Sequence, residues 1–271
     1  MDIVVVRGAG DLATGTILRL HNAGLMVVAL DVERPTVIRR TVSFAEALFE
    51  GACAVEGVRA VRVESVPAAM SAMTSGLVPV LADPKGETIE AFHPVVLVDA
   101  ILAKRNLGTR ITMAPFVVAL GPGFCAGVDC HCVVETQRGH YLGTIIREGT
   151  AAANTGIPGI IAGHGADRVL RSPCAGVFTS DHRIGDMVGA GEIVAMVAPP
   201  DGEDGDGQPV LATIDGVLRG LLHDGIEVTP GFKVGDVDPR GNREFVHSVS
   251  DKARAVAGAV LEAVDGFLRS R

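Results

Sequence analysis

The opening fifteen residues restrict the fold more than any other stretch. Ile3-Val4-Val5-Val6-Arg7 is a short β-branched run that leads straight into Gly8-Ala9-Gly10-Asp11-Leu12-Ala13-Thr14-Gly15. Such a run favours an extended chain, Gly8-x-Gly10 favours a tight turn, and the amphipathic stretch beyond favours a helix. Each small residue has a steric job. Gly8 permits the turn, Gly10 lets backbone approach a phosphate, and Ala13 lets helix and strand pack closely. The helix start then offers unpaired N–H groups and a positive dipole end to an anion. A second strand, 26–30, ends at Asp31, about 20 residues past the glycines, where dinucleotide-binding units place a ribose-binding carboxylate. The pattern predicts a Rossmann-like α/β unit whose binding residues are Gly8, Gly10, Asp11, Ala13, Thr14, Gly15 and Asp31. The other reading is a glycine turn that binds nothing, because a fold does not dictate its ligand.

Further strands support an α/β first half. Residues 12–23 read as the first helix, with Gly24 as its stop. Arg39 and Arg40 follow the Asp31 strand and suit either a phosphate group or a solvated helix start. Residues 43–50 and 67–75 read as helices, 53–63 as extended chain, and 78–82 as a buried strand. Residues 95–98 form another strand, ending in Asp99. The segment from Asp99 to Arg110 gathers Asp99, Lys104, Asn106, Thr109 and Arg110 around Gly108. It is either a loop that holds an anionic ligand or a plain surface segment.

A strand at 116–120 runs into Gly121-Pro122-Gly123-Phe124-Cys125-Ala126-Gly127-Val128-Asp129-Cys130-His131-Cys132. If 130–132 is extended, Cys130 and Cys132 share one face and His131 takes the other, so the three do not converge on one ion. The spacing also fails the usual zinc patterns, and no metal site is expected. Cys125 and Cys130 are candidate nucleophiles or sulfur carriers beside glycine-rich amides. The alternative is that they are small buried hydrophobes.

Composition narrows the class. A chain of 271 residues builds one large domain or two ordinary ones. With 48% hydrophobic residues but 4% aromatic and no Trp, aliphatic side chains must fill the core. A net charge of −8 without a basic run argues against nucleic acid as a partner. Five cysteines without a regular framework fit reduced thiols and a cytoplasmic protein. No basic n-region precedes the first apolar run, and no apolar stretch is long enough to span a bilayer, so neither signal peptide nor membrane segment is expected.

The second half differs. Residues 151–159 read as a small-residue linker. Beyond it Gly176, Val177, Gly185, Val188, Gly191, Val194 and Val197 recur as Gly216, Val217, Gly225, Val228, Gly231, Val234 and Val237. A repeated set of short strands with glycine turns predicts two interlocked halves of a small β-barrel. It resembles the hammerhead, barrel-sandwich repeat of biotinyl and lipoyl domains. Those carry their cofactor on a Lys in the turn between halves. Here the turn, 198–208, has no Lys and reads as a flexible acidic loop, so no biotin or lipoyl attachment is expected. Residues 250–269 carry a broad apolar stripe and form an amphipathic helix that packs back on the body or makes a homo-oligomer contact. The expected organisation is a Rossmann-like domain at 1–150, a repeated barrel at 151–249 and a C-terminal helix at 250–271.

Four blocks together resemble a known family. They are residues 7–15, residues 99–109, Gly121-Pro122-Gly123-Phe124-x-Ala126-Gly127-x-Asp129-Cys130-His131, and Glu135-Thr136-x-Arg138-Gly139-His140-x-Leu142-Gly143. The family is the selenium-dependent molybdenum hydroxylase accessory proteins of the YqeB type. The resemblance implies a maturation factor whose partners are a molybdenum hydroxylase or other cofactor-maturation proteins. On this reading the Gly8–Gly15 turn, with Asp31, Asp99, Lys104, Asn106, Gly121 and Gly123, holds a nucleotide or molybdopterin-type cofactor without a covalent bond. Cys130 lies within a matching block and is the candidate chalcogen carrier, with Asp129 or His131 as proton-transfer or hydrogen-bonding partner. Cys125 and Cys132 fall outside the matching positions. Two rival functions stand beside it. An NAD(P)-dependent oxidoreductase would use the same glycine turn, although the chain lacks a Tyr-x-x-x-Lys motif and its sole Tyr is Tyr141. A non-enzymatic scaffold that docks on a hydroxylase subunit would need no reactive thiol.

Overall fold

The β-branched run forms strand β1 (Ile3–Arg7), and the glycine turn delivers the chain into helix α1 (Asp11–Asn22) and strand β2 (Met26–Asp31). The structure is a computed structural model and describes residues 2–199 and 207–271. Next come α2 (Ala47–Glu50), β3 (Ala52–Val55), β4 (Val58–Arg62), α3 (Val66–Thr74) and β5 (Val78–Ala82). They are followed by β6 (Val96–Asp99), β7 (Phe116–Leu120), β8 (Cys125–Ala126), β9 (Cys132–Val134), β10 (Ile145–Ile146) and β11 (Gly149–Thr150). With α4 (Asp251–Arg269) these make up one compact unit, Met1–Pro35, Ser43–Thr155 and Val249–Arg271. The rest, Thr36–Val42 and Gly156–Ser248, makes a second unit.

The first unit is built on a nine-stranded sheet in the order β10-β9-β7-β6-β1-β2-β5-β4-β3. Strands from β9 to β4 run parallel, while β10 and β3 are antiparallel edges. This large mixed sheet corrects the expected Rossmann-like domain. The connections after β5 and β6 carry only 3-10 turns, at Glu90–Phe92 and Ile111–Met113, where a doubly wound unit would place helices. Sequence chemistry explains the difference. Residues 83–95 hold Pro84, Gly86 and Pro94, and residues 100–115 hold Gly108 and Pro115, so neither stretch offers an uninterrupted helical face. The central strands are buried on both faces: Val4, Val5 and Val6 are fully covered, as are Val96, Leu97 and Val98. Helix α4 packs back on the body through Ala253, Val256, Ala257, Val260 and Val264. It approaches α1 so closely that a Cβ on Gly15 would lie 2.9 Å from the Ala253 Cβ.

The second unit contains β12 (Val169–Arg171), β13 (Gly176–Thr179), β14 (Met187–Val188), β15 (Ile193–Ala198), β16 (Gln208–Leu211), β17 (Gly216–Leu221), β18 (Glu227–Val228) and β19 (Lys233–Asp238). They form two four-stranded antiparallel sheets, β12-β19-β17-β14 and β16-β15-β13-β18. That corrects the expected barrel module. Strands β12 and β16, which lie outside the repeated pattern, cap one end of each sheet, and among the described residues the two sheets do not join into a closed ring. The two copies of the repeat do exchange strands reciprocally. Gly176 and Val177 pair with Val228 and Glu227, and Gly216 and Val217 pair with Val188 and Met187. The centre of the expected acidic loop, 200–206, lies outside the described residues.

Charged groups inside this unit face one another. Arg39 Nη2 donates to the carbonyls of Phe245 (3.2 Å) and Ser248 (3.1 Å), and Arg40 Nε donates to that of Leu221 (2.9 Å). The arginine pair therefore grips backbone. Asp236 bonds Arg168, and Asp238 takes two bonds from the Arg240 side chain, 2.9 and 2.6 Å. Burial pushes the Asp238 carboxyl up, but the Arg240 hydrogen bonds and the charges of Arg240 and Arg219 hold it below the usual carboxylate range. A lowered native value means stability that is present above the unfolded pKa, about 3.9, and is lost as pH falls through the native one. Asp238→Asn is therefore expected to be less stable than the parent at neutral pH. The gap should close in acid, read from urea midpoints across a pH series.

Candidate functional site

The parallel strands β1, β2, β5, β6 and β7 all end on one edge of the large sheet, and the motif blocks meet there. The chain leaves β1 toward β2 and β5 and returns on the other side at β6, so the edge opens between β1 and β6. The turn at Gly8 has φ +103°, and a Cβ there would lie 2.7 Å from the Ala100 carbonyl oxygen. Only glycine lets the turn after β1 sit this close to the loop after β6.

Beneath that contact lies a buried polar chain. Arg7 Nη1 donates to Thr109 Oγ1 at 2.5 Å, and Thr109 Oγ1 donates to Asp99 Oδ2 at 2.5 Å. The guanidinium stands 3.5 Å from the same carboxylate oxygen. Arg7 Nη2 also donates to the carbonyls of Pro84 and Leu107, both at 3.3 Å. Arg7, Asp99 and Thr109 are 2%, 1% and 1% exposed, so this is a sealed network joining the ends of three strands. Burial pushes the Asp99 carboxyl up, against the opposing pull of Thr109, Arg7 and the Ile101 amide.

Asp31 clamps the glycine turn. Its Oδ2 accepts from Ala9 N and its Oδ1 from Val32 N, each at 2.7 Å. Burial raises this carboxyl despite both amides. Thr14 is fully buried; its Oγ1 donates to the Ala9 carbonyl and accepts from Phe44 N. Ala13 is equally buried, and Gly15 serves the α1–α4 contact. Within this block, Gly10 and Asp11 at the start of α1 are the partly exposed positions. Gly10 caps the helix without a side-chain bond.

The loops after β6 and β7 are tied together. Asn106 Nδ2 donates to the Thr109 carbonyl (2.8 Å) and to Asp129 Oδ1 (3.2 Å), while its Oδ1 accepts from Gly108 N and Thr109 N. Asp129 Oδ2 accepts from Cys125 N at 2.8 Å. Gly123 lies against the backbone of Lys104 and Arg105, and Gly121 against Thr136. Lys104 itself is exposed on the rim. Contacts thus join all four motif blocks.

The thiol and the imidazole point elsewhere. Cys130 is fully buried in the core with Val117, Ala119 and Val133, and burial, helped by Cys132 and Asp129, pushes its thiol up to about 12. Burial likewise takes Cys132 to about 11. His131 Nδ1 accepts from Val117 N at 2.9 Å at the amino end of β7, and its ring leans on Phe116. Burial lowers its pKa. Cys130 and Cys132 are therefore expected to resist iodoacetamide in native protein near neutral pH, while half-buried Cys125 is labelled before either; peptide mapping before and after unfolding reads the order.

Sequence reasoning kept Arg7 and Thr109 inside the motif blocks without naming either as a site residue, although an Arg closing a run of four β-branched residues signals a buried counter-charge. It also passed over Glu135, whose carboxylate accepts from Gln137 N and Ala152 N.

The chain is 50% identical over 262 residues to a protein of Escherichia coli (strain K12) named "Uncharacterized protein YqeB", a match covering 97% of this chain and 47% of that one. That supports the YqeB-type resemblance, and the chain spans about half the length of this curated relative. No protein-family model matches. Among solved structures, an aspartoacylase family protein from Mesorhizobium loti aligns at 10% identity and TM-score 0.31, covering 87% of this chain and 84% of that one. A succinylglutamate desuccinylase/aspartoacylase from Rhodobacter sphaeroides aligns at 15% identity and TM-score 0.25, covering 78% and 57%. Likenesses this low carry no argument about this chain.

Proposed function

We propose that this chain is an accessory protein in the maturation of molybdenum hydroxylases, with the selenium-dependent subset as its clients. It takes a nucleotide or molybdopterin-type cofactor, without a covalent bond, at the carboxyl edge of the large sheet. The observation that supports this reading is the convergence of four blocks far apart in sequence, through Gly8–Ala100, Asn106–Asp129, Gly123–Arg105 and Gly121–Thr136. Half-buried Gly10 at the head of α1 and exposed Lys104 and Gly123 are positions of the expected cofactor site that reach the surface. A phosphate suits both the helix start and the lysine.

Mass spectrometry of gently purified protein, native and then denatured, tests the binding half. A released pterin or nucleotide is the expected result. A clean mass, together with no heat on titration with ADP or CDP, would remove the cofactor-holding role. A host lacking the gene is expected to make a molybdenum hydroxylase with normal protein level and reduced activity; full activity would remove the maturation role.

A docking role without chemistry is the second reading, and the inward-facing Cys130 favours it. On that reading Cys130→Ser leaves hydroxylase maturation intact.

A further inference from the structure

In the second unit, strand pairing repeats further than the glycine and valine spacing does. Ile193, Ala195 and Met196 of β15 pair with Leu211, Val210 and Pro209 of β16. Forty residues on from β15, Lys233, Gly235 and Asp236 of β19 pair with Arg171, Leu170 and Val169 of β12, with a bulge at the same place. Places forty residues apart can therefore be compared directly. On the second repeat copy, the segment Thr36–Val42 is laid against the end of β17. Leu221 N donates to the Ile38 carbonyl at 2.8 Å, and Arg40 Nε donates to the Leu221 carbonyl at 2.9 Å. The Ile38 side chain rests on Gly220, where a Cβ would come within 3.0 Å of its Cδ1.

That segment comes from outside the repeat, and among the described residues nothing takes its place on the first copy. At the matching position lies a cleft of about 220 Å³. Asp181, the counterpart of Leu221, is exposed, and among the described residues neither its amide nor its carboxylate is hydrogen-bonded. Ser180, in place of Gly220, turns its hydroxyl onto the Val194 carbonyl at 2.6 Å. Ile193 and Met196, 54% and 37% exposed, give the cleft an apolar wall. Its rim is acidic. Asp181 and Asp224 line it, and Asp186 and Glu192 flank its His182 at 3.6 and 3.7 Å. Arg183 is the only Lys or Arg between positions 179 and 196.

We propose that this cleft docks an extended segment of a partner protein, an aliphatic residue followed by arginine, as Ile38-Arg39-Arg40 docks on the second copy. The partner's carbonyl accepts from Asp181 N, its aliphatic side chain lies against Ile193 and Met196, and its guanidinium meets Asp181 and Asp224. A cavity of about 150 Å³ takes benzene, so an isoleucine side chain has room here. In such docking the main-chain bond gives affinity and the pocket gives specificity, while the charges fix register.

The test titrates the intact chain with a fluorescein-labelled, amidated peptide of the Thr36–Val42 sequence and reads anisotropy. The chain's own segment already fills the second copy, so the peptide meets only the first. One saturable site per chain is expected. Alanine in place of the peptide's isoleucine, or Asp181→Lys in the protein, should each weaken binding by about tenfold or more. Ile193→Ser should weaken it without a change of charge. Both protein positions are exposed, and unchanged melting curves show that the variants fold. No saturation at millimolar peptide, equal affinity for a peptide with glutamate at both arginines, or an affinity that none of these substitutions moves would overturn the proposal. Two other occupants would also overturn it. They are the chain's own 200–206 stretch, if the peptide binds only after that stretch is replaced by glycine and serine, and a second copy of this chain, if sedimentation shows a dimer that Asp181→Lys dissociates.

Discussion

Asp99→Ala is expected to destabilise the first unit by about 3–5 kcal/mol, because it leaves the Arg7 guanidinium buried without its counter-charge. Both groups are almost wholly covered, and Thr109 sits between them with its hydroxyl bonded to each. The loss should appear as a lower urea midpoint with an unchanged slope. Arg7→Met, Asp99→Leu and Thr109→Val combined are expected to recover most of it, since an apolar replacement of the whole network removes the stranded charge. If the triple variant is no better than Asp99→Ala, the network is more than a sealed ion pair. The pH dependence follows from the raised Asp99 carboxyl. A raised native value gives stability that is complete below the unfolded pKa, about 3.9, and is lost as pH rises through the native one. Asp99→Asn should abolish that decline.

A comparable loss is expected in the second unit from one methyl group. A Cβ on Gly176 would lie 2.3 Å from the Ala198 carbonyl oxygen, and one on Gly216 would lie 2.4 Å from that of Asp238. These are equivalent places in the repeat, and both glycines have positive φ, +151° and +157°. Gly216→Ala and Gly176→Ala are each expected to cost about 3 kcal/mol from overpacking against backbone and about 1 more from the strained φ. Gly191 and Gly231 are the controls. They too have positive φ, +87° and +77°, but open space where a Cβ would go. Alanine there should cost about 1 kcal/mol, from conformation alone. Equal losses at all four sites would show that close approach is not what selects glycine.

Local pattern made much of this fold readable. The strands at 78–82 and 116–120 stand where their apolar runs and flanking turns put them, and the acids ending β2 and β6 lie on one edge as expected. The repeat was legible because glycine spacing survives where side chains drift. What failed depends on contacts distant in sequence. Nothing near Arg39 and Arg40 tells that their partners are carbonyls at Leu221, Phe245 and Ser248. The extended reading of 53–63 missed a hairpin, because its turn uses Glu56 at φ +47° beside Gly57 in place of the favoured Asn-Gly. Asp31, Asp99 and Asn106 have the chemistry of ligand-binding groups, yet their hydrogen bonds run largely to the protein's own backbone. Residue type and position showed that these places are special, and only the bonds show toward what. The overall topology failed for a similar reason. A strand–turn–helix start is shared by many sheets, and the edge strands β3 and β10 that make this one mixed are short and weakly patterned.

The division of the chain has a consequence for its synthesis. The polypeptide enters the second unit at Thr36–Val42, returns to the first, leaves again at Gly156 and comes back only at Val249. Helix α1 leaves the ribosome well before α4, which covers it and emerges after every strand of the repeat. Until then α1 and its half of the sheet have an uncovered apolar side. A nascent chain stalled anywhere in the repeat would expose that side to chaperones, and a premature stop there would leave it without α4 altogether.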